Sequence, residues 1–102
     1  MAELMKAMEN QVIRDQVLEL LREAGPNGAN EKVVTMALHK AGYRTDAKQI
    51  QEALYYLQYK GLISAIQCEN KSLSISMVVY MITPEGIDVL EGTTQAEGIG
   101  VG

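Results

Sequence analysis

The sequence predicts a mainly helical α+β domain in which three helices precede a hairpin of two strands and a short fourth helix. Three observations support this order. Apolar residues recur at helical spacing in three segments before residue 61, the segment 62–82 is rich in β-branched residues that alternate along part of its length, and the tetrapeptide at 83–86 is a typical helix start. With 102 residues, the chain has room for one domain with one modest core.

The first helix is predicted over residues 10–24. One face of that helix would collect apolar side chains at helical spacing, namely those of Ile13, Val17, Leu20, Leu21 and Ala24. Two starting points are open: Asn10 could cap the helix, or the helix could run on from about residue 3 through Leu4 and Met8. The sequence Gly-Pro-Asn-Gly at 25–28 is expected to end it.

A second helix is predicted after that turn. Asn30 is a suitable N-cap, and Glu31 would lie near the positive end of the helix dipole. The apolar stripe of this helix consists of Val34, Ala37, Leu38 and Ala41. Gly42 is expected to end the helix at the C′ position, because glycine adopts the left-handed conformation that this position favours.

A third helix is predicted at about 46–60, opened by Thr45 and Asp46. Its apolar side chains gather within about 100° of one another on a helical wheel. They are Ile50, Ala53, Leu54 and Leu57. Gly61 is expected to close the helix.

The segments 62–68 and 73–82 are predicted to form the strands of the hairpin, joined by a polar turn at 69–72. The run 77–82 is apolar on both faces, so we expect part of it to be covered on both sides. Cys68 is interpreted as a small buried hydrophobe rather than a nucleophile or a sensor. One face of the second strand would collect Ile75, Met77, Val79 and Met81.

A short final helix is predicted to begin at Pro84, with Thr83 as its cap and Glu85 in its first turn, and to end before Gly92. The Gly-rich end of the chain has no periodic pattern. We therefore expect three regions: an N-terminal arm at 1–9 that could be helical, a folded domain at 10–92 and a flexible tail at 93–102.

Two helices joined by a short turn and followed at once by a hairpin form the layout of a winged helix-turn-helix domain. Within that superfamily, residues 53–63 and 80–92 resemble bacterial regulators of the ArsR-, MarR- and PadR-like kinds. The third helix of those proteins commonly ends in Leu, a basic residue, Gly and an aliphatic pair, which here are Leu57, Lys60, Gly61, Leu62 and Ile63. The strand that returns from their wing often closes on a pattern met here by Tyr80, Ile82, Thr83, Pro84 and Gly86.

The ending at 82–93 is also similar to small proteins of Mu-like phages and prophages. The resemblance implies a homodimeric transcriptional regulator that binds double-stranded DNA. Its third helix would enter a major groove, Lys71 of the wing would lie near the backbone, and two copies would contact half-sites about one helical turn apart. Winged helices also serve as protein-interaction modules, so a role in binding another protein stays open as the alternative.

The net charge of −4 is unevenly distributed. Residues 1–29 carry three Lys or Arg against five Asp or Glu, residues 30–61 carry five against three, and residues 62–102 carry one against five. Only the middle third is basic, and it contains the helix expected to meet DNA. The overall acidity instead favours the alternative, in which the face of Tyr55 and Tyr59 and the edge of the hairpin dock a partner protein.

On the winged-helix interpretation, the outward positions of the third helix are the candidate DNA contacts. Gln can pair with adenine, Lys with guanine, and Thr or Tyr with phosphate. An ordinary solvated face is the other interpretation, in which Lys48 pairs with Glu52 four residues later. The candidate set is Thr45, Lys48, Gln49, Gln51, Glu52, Tyr55 and, on the wing, Lys71.

Two further groups of residues are candidate contacts with a protein. Tyr55 and Tyr59 are predicted to point away from the core, with Tyr56 half-buried on a flank. Tyr59 lies at the helix end, far from the groove, so protein contact is favoured there. The N-terminal residues Leu4, Met5 and Met8 are either a frayed start or a dimerisation arm, since adaptable Met side chains suit such surfaces.

Several classes of function find no support in the sequence. No run approaches 18 apolar residues and no secretion signal precedes the first helix, so we expect no membrane span and a cytoplasmic location. Cys68 is the only cysteine, which is compatible with a reducing compartment, and His39 has no companion ligand for a metal. With no nucleophile–base pair, phosphate loop or paired catalytic carboxylates, we predict no enzyme, no cofactor and no metal.

Overall fold

A computed structural model describes residues 2–92 of the chain. Its elements are α1 (Ala2–Ala24), a 3-10 turn (Gly25–Asn27), β1 (Ala29–Asn30), α2 (Glu31–Lys40), α3 (Ala47–Tyr59), β2 (Ile63–Asn70), β3 (Ile75–Ile82) and α4 (Pro84–Leu90). This is the mainly helical α+β order that the sequence predicts. The predicted flexible tail at 93–102 lies outside the described residues, as does Met1 of the predicted arm.

The first helix takes the longer of the two starts left open by the sequence. α1 begins at Ala2, and Asn10 lies within the helix rather than capping it. Side chains from Glu3 to Glu9 are all exposed, and burial begins only after them, with Ile13. The first turns of α1 therefore project beyond the part of the helix that packs on the core.

Side-chain caps fix the starts of α2 and α4 as expected. The Asn30 side chain accepts the Val33 N–H at 2.8 Å, which satisfies a backbone donor that has no partner within the helix. Thr83 Oγ1 accepts the Gly86 N–H at 3.1 Å and donates to the Gly61 carbonyl at 2.7 Å. This second contact joins the start of α4 to the residue that ends α3.

The core lies between α1, α2 and α3 and is closed by the start of β2 and by α4. The predicted stripe of α3 is wholly buried, whereas Leu20 and Ala24 of the α1 stripe are only partly buried. Leu18 is fully buried although the predicted stripe omits it. The buried residues are Ile13, Val17, Leu18, Leu21, Ala29, Val34, Leu38, Ile50, Ala53, Leu54, Leu57, Leu62, Ile63 and Val89.

The sheet has three strands in the order β1-β3-β2, where the sequence predicts a hairpin of two. The extra strand, β1, pairs Ala29 with Tyr80 and Asn30 with Val79. Gly28 permits this close approach, since a Cβ added there would lie 2.5 Å from the Tyr80 carbonyl oxygen. Two residues are too few to show a strand pattern in sequence.

The structure corrects two expectations about the wing, which is defined here as β2, β3 and the turn between them. Cys68 is exposed rather than buried. The run 77–82 is not covered on both sides, because Met77 and Val78 are exposed and residues 79–82 are only partly buried. The physical reason is that the hairpin extends past the helices, so no helix packs over its far half. The first strand also continues to Asn70, which moves the turn to 71–74.

Candidate nucleic-acid interface

A reciprocal capping box fixes the start of α3. Asp46 Oδ1 accepts the Gln49 N–H at 2.8 Å, and Gln49 Oε1 accepts the Asp46 N–H at 3.1 Å. The carbonyl of the Gln49 side chain is therefore engaged within the helix start. Its NH₂ group is the part that remains suited to contact a base or a phosphate.

The outward face of α3 carries most of the predicted DNA contacts. Lys48, Gln51, Glu52 and Tyr55 are all exposed, while Ile50 on the opposite face is fully buried. In the described part of the chain, no salt bridge joins Lys48 to Glu52. The pairing that would make this face an ordinary solvated surface is thus not formed in the structure.

Thr45 lies differently from the other predicted contacts. Its hydroxyl oxygen is buried and has no hydrogen-bond partner, while its backbone carbonyl oxygen lies 3.0 Å from His39 Nε2. Because a carbonyl only accepts, His39 donates to it through Nε2. The Thr45 side chain therefore points inward. The hydrogen bond from His39 connects α2 to the start of α3.

A surface groove of about 420 Å³ runs between α1 and the outward face of α3. Arg14 of α1 lines this groove together with Lys48, although 34 positions (48 − 14) separate them in the chain. The guanidinium carbon of Arg14 lies 4.2 Å from the centre of the Tyr56 ring, which orients it by a cation–π contact. Polar residues that share this groove are Asn10, Gln49, Gln51 and Glu52. Sequence reasoning missed Arg14, because nothing in the pattern of α1 indicates which side chains approach α3.

The three clustered tyrosines separate as the helical wheel predicts. Tyr55 and Tyr59 are 71% and 77% exposed, whereas Tyr56 is half-buried beneath Arg14. Lys60 also lies over the Tyr56 ring, at 5.6 Å from its centre. Tyr43, which precedes α3, packs against the core instead.

The wing tip presents Lys71 away from α3. Lys71 is exposed and lines a shallow groove formed by wing residues alone. The Asn70 side chain accepts the Leu73 N–H at 3.2 Å and holds the turn. The structure therefore does not bring Lys71 into the groove of Arg14 and Lys48, and any ligand that meets both must span two elements.

The start of α1 presents an exposed apolar surface. Leu4, Met5 and Met8 are 63%, 70% and 59% exposed. Val12, which follows Met8 by one helical turn, is 43% exposed and extends the same face. The predicted partner contacts on α1 thus lie together, while Tyr59 lies on a different helix.

Burial raises the pKa of the Tyr80 hydroxyl above its usual value near 10, and the neighbouring Glu31 carboxylate raises it further. Within residues 2–92, no three His, Cys, Asp or Glu side chains gather as a metal site. No helix in the same range is long and apolar enough to cross a membrane.

Comparison with known proteins shows the fold. No family model matches the chain, and no curated protein matches it. Among solved structures, it is similar to a PadR-like transcription factor from Bacteroides fragilis, with a TM-score of 0.75 and 16% identity over 89% of this chain and 84% of that one. It is also similar to a PadR family transcriptional regulator from Eggerthella lenta, with a TM-score of 0.64 and 19% identity over 90% of this chain and 80% of that one. The chain therefore has a winged helix-turn-helix fold.

Proposed function

We propose that this protein binds double-stranded DNA as a transcriptional regulator and has no enzymatic role. The observation that carries the proposal is the outward face of α3. It presents Lys48, Gln51 and Tyr55 to solvent, while a fully buried opposite face and the Asp46 capping box hold the helix in place. The solved structures with this fold that are described above are named as transcription regulators, which supports the same class.

In this proposal α3 enters a major groove and its polar side chains contact base edges. Gln51 suits adenine and Lys48 suits guanine. Arg14 lies over the Tyr56 ring and lines the protein's surface groove between α1 and α3 together with Lys48. It supplies a second cation for the DNA phosphates next to the contacted bases. Lys71 at the wing tip contacts the backbone at a separate point. The Gln49 NH₂ group and the Glu52 carboxylate complete the polar face, with the carboxylate suited to a cytosine amino group.

Two copies would bind together, with half-sites about one helical turn apart. The exposed apolar face of Leu4, Met5 and Met8 is the proposed contact between copies, and Tyr59 the proposed contact of α3 with a protein surface. Each of these side chains is more than half exposed, so no intramolecular packing accounts for them. A cytoplasmic location and a phage or prophage origin stay predictions from the sequence.

The charge of the protein sets the expected strength of binding. The whole chain carries −4, so few cations are available to neutralise phosphates. Each neutralised phosphate contributes about −0.9 to the slope of log affinity against log salt. We therefore expect modest affinity and a shallow salt dependence, compared with regulators that carry a basic surface.

Selection of binding sequences from a random DNA pool tests the proposal. The expected result is an enriched, two-fold symmetric sequence, bound more weakly by the Lys48→Ala and Gln51→Ala variants. Loss of the Gln51 contact should relax the preference at one base by about 1–3 kcal/mol. Arg22→Ala, which removes one positive charge elsewhere on α1, is the matched control and should retain the wild-type preference. No enrichment, or equal binding by all three variants, would count against DNA recognition by α3.

A second candidate function is a protein-interaction module on the same fold. It is favoured by the exposed rings of Tyr55 and Tyr59 on an acidic protein. A gel shift on random DNA separates the two candidates. A shift that weakens as salt is raised supports DNA binding, whereas no shift at low salt supports the protein-interaction role.

A further inference from the structure

The wing has an apolar face that the core does not use. Residues directly opposite each other in a two-stranded ladder lie on the same face of the sheet. The register pairs Ile66 with Val79 and Cys68 with Met77, so these side chains share one face. Alternation along the strands adds Ile75 and Met81. Within β2 and β3, no charged side chain lies on this face.

The outer part of this apolar face is directed to solvent. Its base is partly covered, because Val79 and Met81 lie against Gly28 and the Asn30 side chain donates to Met77 Sδ at 3.2 Å. Ile63 and Tyr80 belong to the other face, and both pack with the core. On the apolar face Ile66, Ile75 and Met77 are 46%, 47% and 40% exposed. A strand face that turns to solvent is ordinarily polar, so the composition of this one requires a further explanation.

One edge of the sheet is also unpaired in the described part of the chain. In the order β1-β3-β2, the outer edge of β2 has no neighbouring strand. The Thr83 N–H donates to the Leu62 carbonyl, and hydrogen-bonded pairs recur every second residue in an antiparallel ladder. The intervening residues of β2 therefore direct their N–H and C=O groups toward the free edge. The accessible ones are Ala65, Gln67 and Glu69, because Ile63 is buried where β2 leaves α3.

The free edge lacks the devices by which proteins ordinarily prevent strand pairing. These devices are proline, lysine, a bulge or a very short strand. β2 is 8 residues long, pairs with β3 in unbroken register and contains no proline or lysine. Its one charged residue is Glu69, near the end. The edge and the apolar face are independent observations, and both indicate an interaction surface.

We propose that β2 pairs antiparallel with β2 of a second copy of this chain, so that two wings form one continuous sheet. The register centred on Ile66 pairs the accessible centre of β2, because Ala65 then faces Gln67 of the other copy and Gln67 faces its Ala65, whereas Ile63 stays within its own core. It also keeps the two Glu69 carboxylates at opposite ends of the paired strands. A register centred near Glu69 would bring these like charges together, which is destabilising. The apolar faces of the two wings become one larger apolar surface.

This contact is distinct from the surface on α1. Each would be isologous, meaning that it joins identical surfaces of two copies. A chain with two such contacts assembles into closed tetramers or longer rows rather than stopping at a dimer. The wing pairing depends on the backbone and shape of β2 alone, so it holds whether or not the protein binds DNA.

Disulfide trapping tests the pairing. In the register centred on Ile66, the two copies of this residue form a pair without mutual hydrogen bonds, where Cα atoms lie about 4.5 Å apart. That distance suits a disulfide. Ile66→Cys in a Cys68→Ser background should therefore cross-link rapidly under mild oxidation. Val33→Cys in the same background places an equally exposed thiol on α2 and is the control for random collision. Equal cross-linking by both variants would overturn the proposal.

Sedimentation velocity gives a second test that needs no cysteine chemistry. Ala65→Pro removes an N–H that points to the free edge without removing a bond to β3, whereas Ala65→Thr keeps it. We expect the proline variant alone to lose the association that the β2 pairing produces, seen as a smaller species at high protein concentration. Both variants should show the same circular dichroism. Ile66→Lys, which puts a charge on the apolar face, should lose the same association. Identical association by the wild type, Ala65→Pro and Ile66→Lys would also overturn the proposal.

Discussion

The helical body consists of α1, α2, α3 and α4. The body and the wing place their apolar residues in opposite environments. In α1, α2 and α3 most residues of the apolar stripes are buried in the core, where Leu57 and Leu38 are at most 1% exposed. In the wing only Ile63, at the point where β2 leaves α3, joins the buried core. Farther out, Ile66, Leu73 and other large apolar side chains are exposed.

The difference shows which apolar residues folding explains. Burial against the core accounts for the stripes of the helices, because each buried side chain stabilises the fold by about 1.5–3 kcal/mol. It does not account for the outward face of the wing, whose side chains remain in water in the single chain. A sequence with no requirement there beyond solubility would use polar residues at those positions. Folding therefore explains the apolar residues of the body, and the proposed contact with a second copy explains those on the outward face of the wing.

The largest difference in stability should appear when side chains of equal size are truncated to alanine, one in the body and one in the wing. Leu57→Ala removes a fully buried side chain and leaves a cavity, so we expect a loss of about 3 kcal/mol in the free energy of unfolding. Ile66→Ala, in the exposed wing, should cost about 0.5 kcal/mol or less. Urea denaturation at low protein concentration measures both. A similar loss in the two variants would show that the wing is part of the cooperative core.

The contact between body and wing should be the next most sensitive point. Gly25 and Gly28 both have positive φ, of 65° and 67°, but a Cβ at Gly28 would lie 2.5 Å from the Tyr80 carbonyl oxygen and one at Gly25 would meet nothing. Gly28→Ala should therefore destabilise by about 2 kcal/mol or more, since it adds a steric clash to backbone strain. Gly25→Ala should cost about 1 kcal/mol, from strain alone. Equal thermal shifts in the two variants would mean that β1 does not need this close approach to β3.

Sequence reasoning was most successful where local chemistry decides the structure. The stripe of α3, the caps at Asn30 and Thr83 and the ending of α2 at Gly42 each depend on residues within one or two turns. The outward position of Tyr55 followed from the same periodicity. These features were predictable because a helix fixes the direction of every side chain once its buried face is known.

The features that sequence reasoning missed depend on distant parts of the chain. The burial of Cys68 was wrongly predicted, because an apolar strand pattern does not indicate how far the hairpin extends past the helices. β1 has only two residues and exists because β3 lies beside it. The groove shared by Arg14 and Lys48, and the inward turn of the Thr45 hydroxyl, arise only when α1 and α2 pack beside α3.

Removing a side-chain cap from the body and one from the wing should give a smaller difference in stability between the two regions. Asp46 caps a helix of the body, and Asn70 holds the wing turn through the Leu73 N–H at 3.2 Å. Asp46→Ala should cost about 1 kcal/mol, because a backbone donor at the start of α3 loses its partner. Asn70→Ala should cost less, because the Leu73 N–H keeps the backbone carbonyl of residue 70 as an acceptor at 3.3 Å. Chemical denaturation measures both, and a larger loss at Asn70 would contradict the view that the wing adds little to stability.

The smallest expected effect concerns Tyr80, one of the wing residues that pack on the body. Burial, with a further contribution from Glu31, raises the pKa of its hydroxyl above about 10. As the pH rises past about 10, the phenol ionises first in the unfolded chain, so the unfolded state binds fewer protons than the native state. The stabilisation by the neutral phenol is thus complete below that pH and is lost as the pH rises through the native pKa.

Tyr80→Phe removes this proton linkage and should flatten the alkaline fall in the free energy of unfolding between about pH 9 and pH 11. Glu31→Gln lowers the native pKa of Tyr80 and should give a fall between those of the wild type and Tyr80→Phe. Glu31 also lies at the start of α2, so its loss changes stability at every pH through the helix dipole, and the comparison uses the slope alone. If Tyr80→Phe keeps the wild-type slope, the wing does not bury this ring against the body, and the boundary between the two regions must be placed nearer to Ile63.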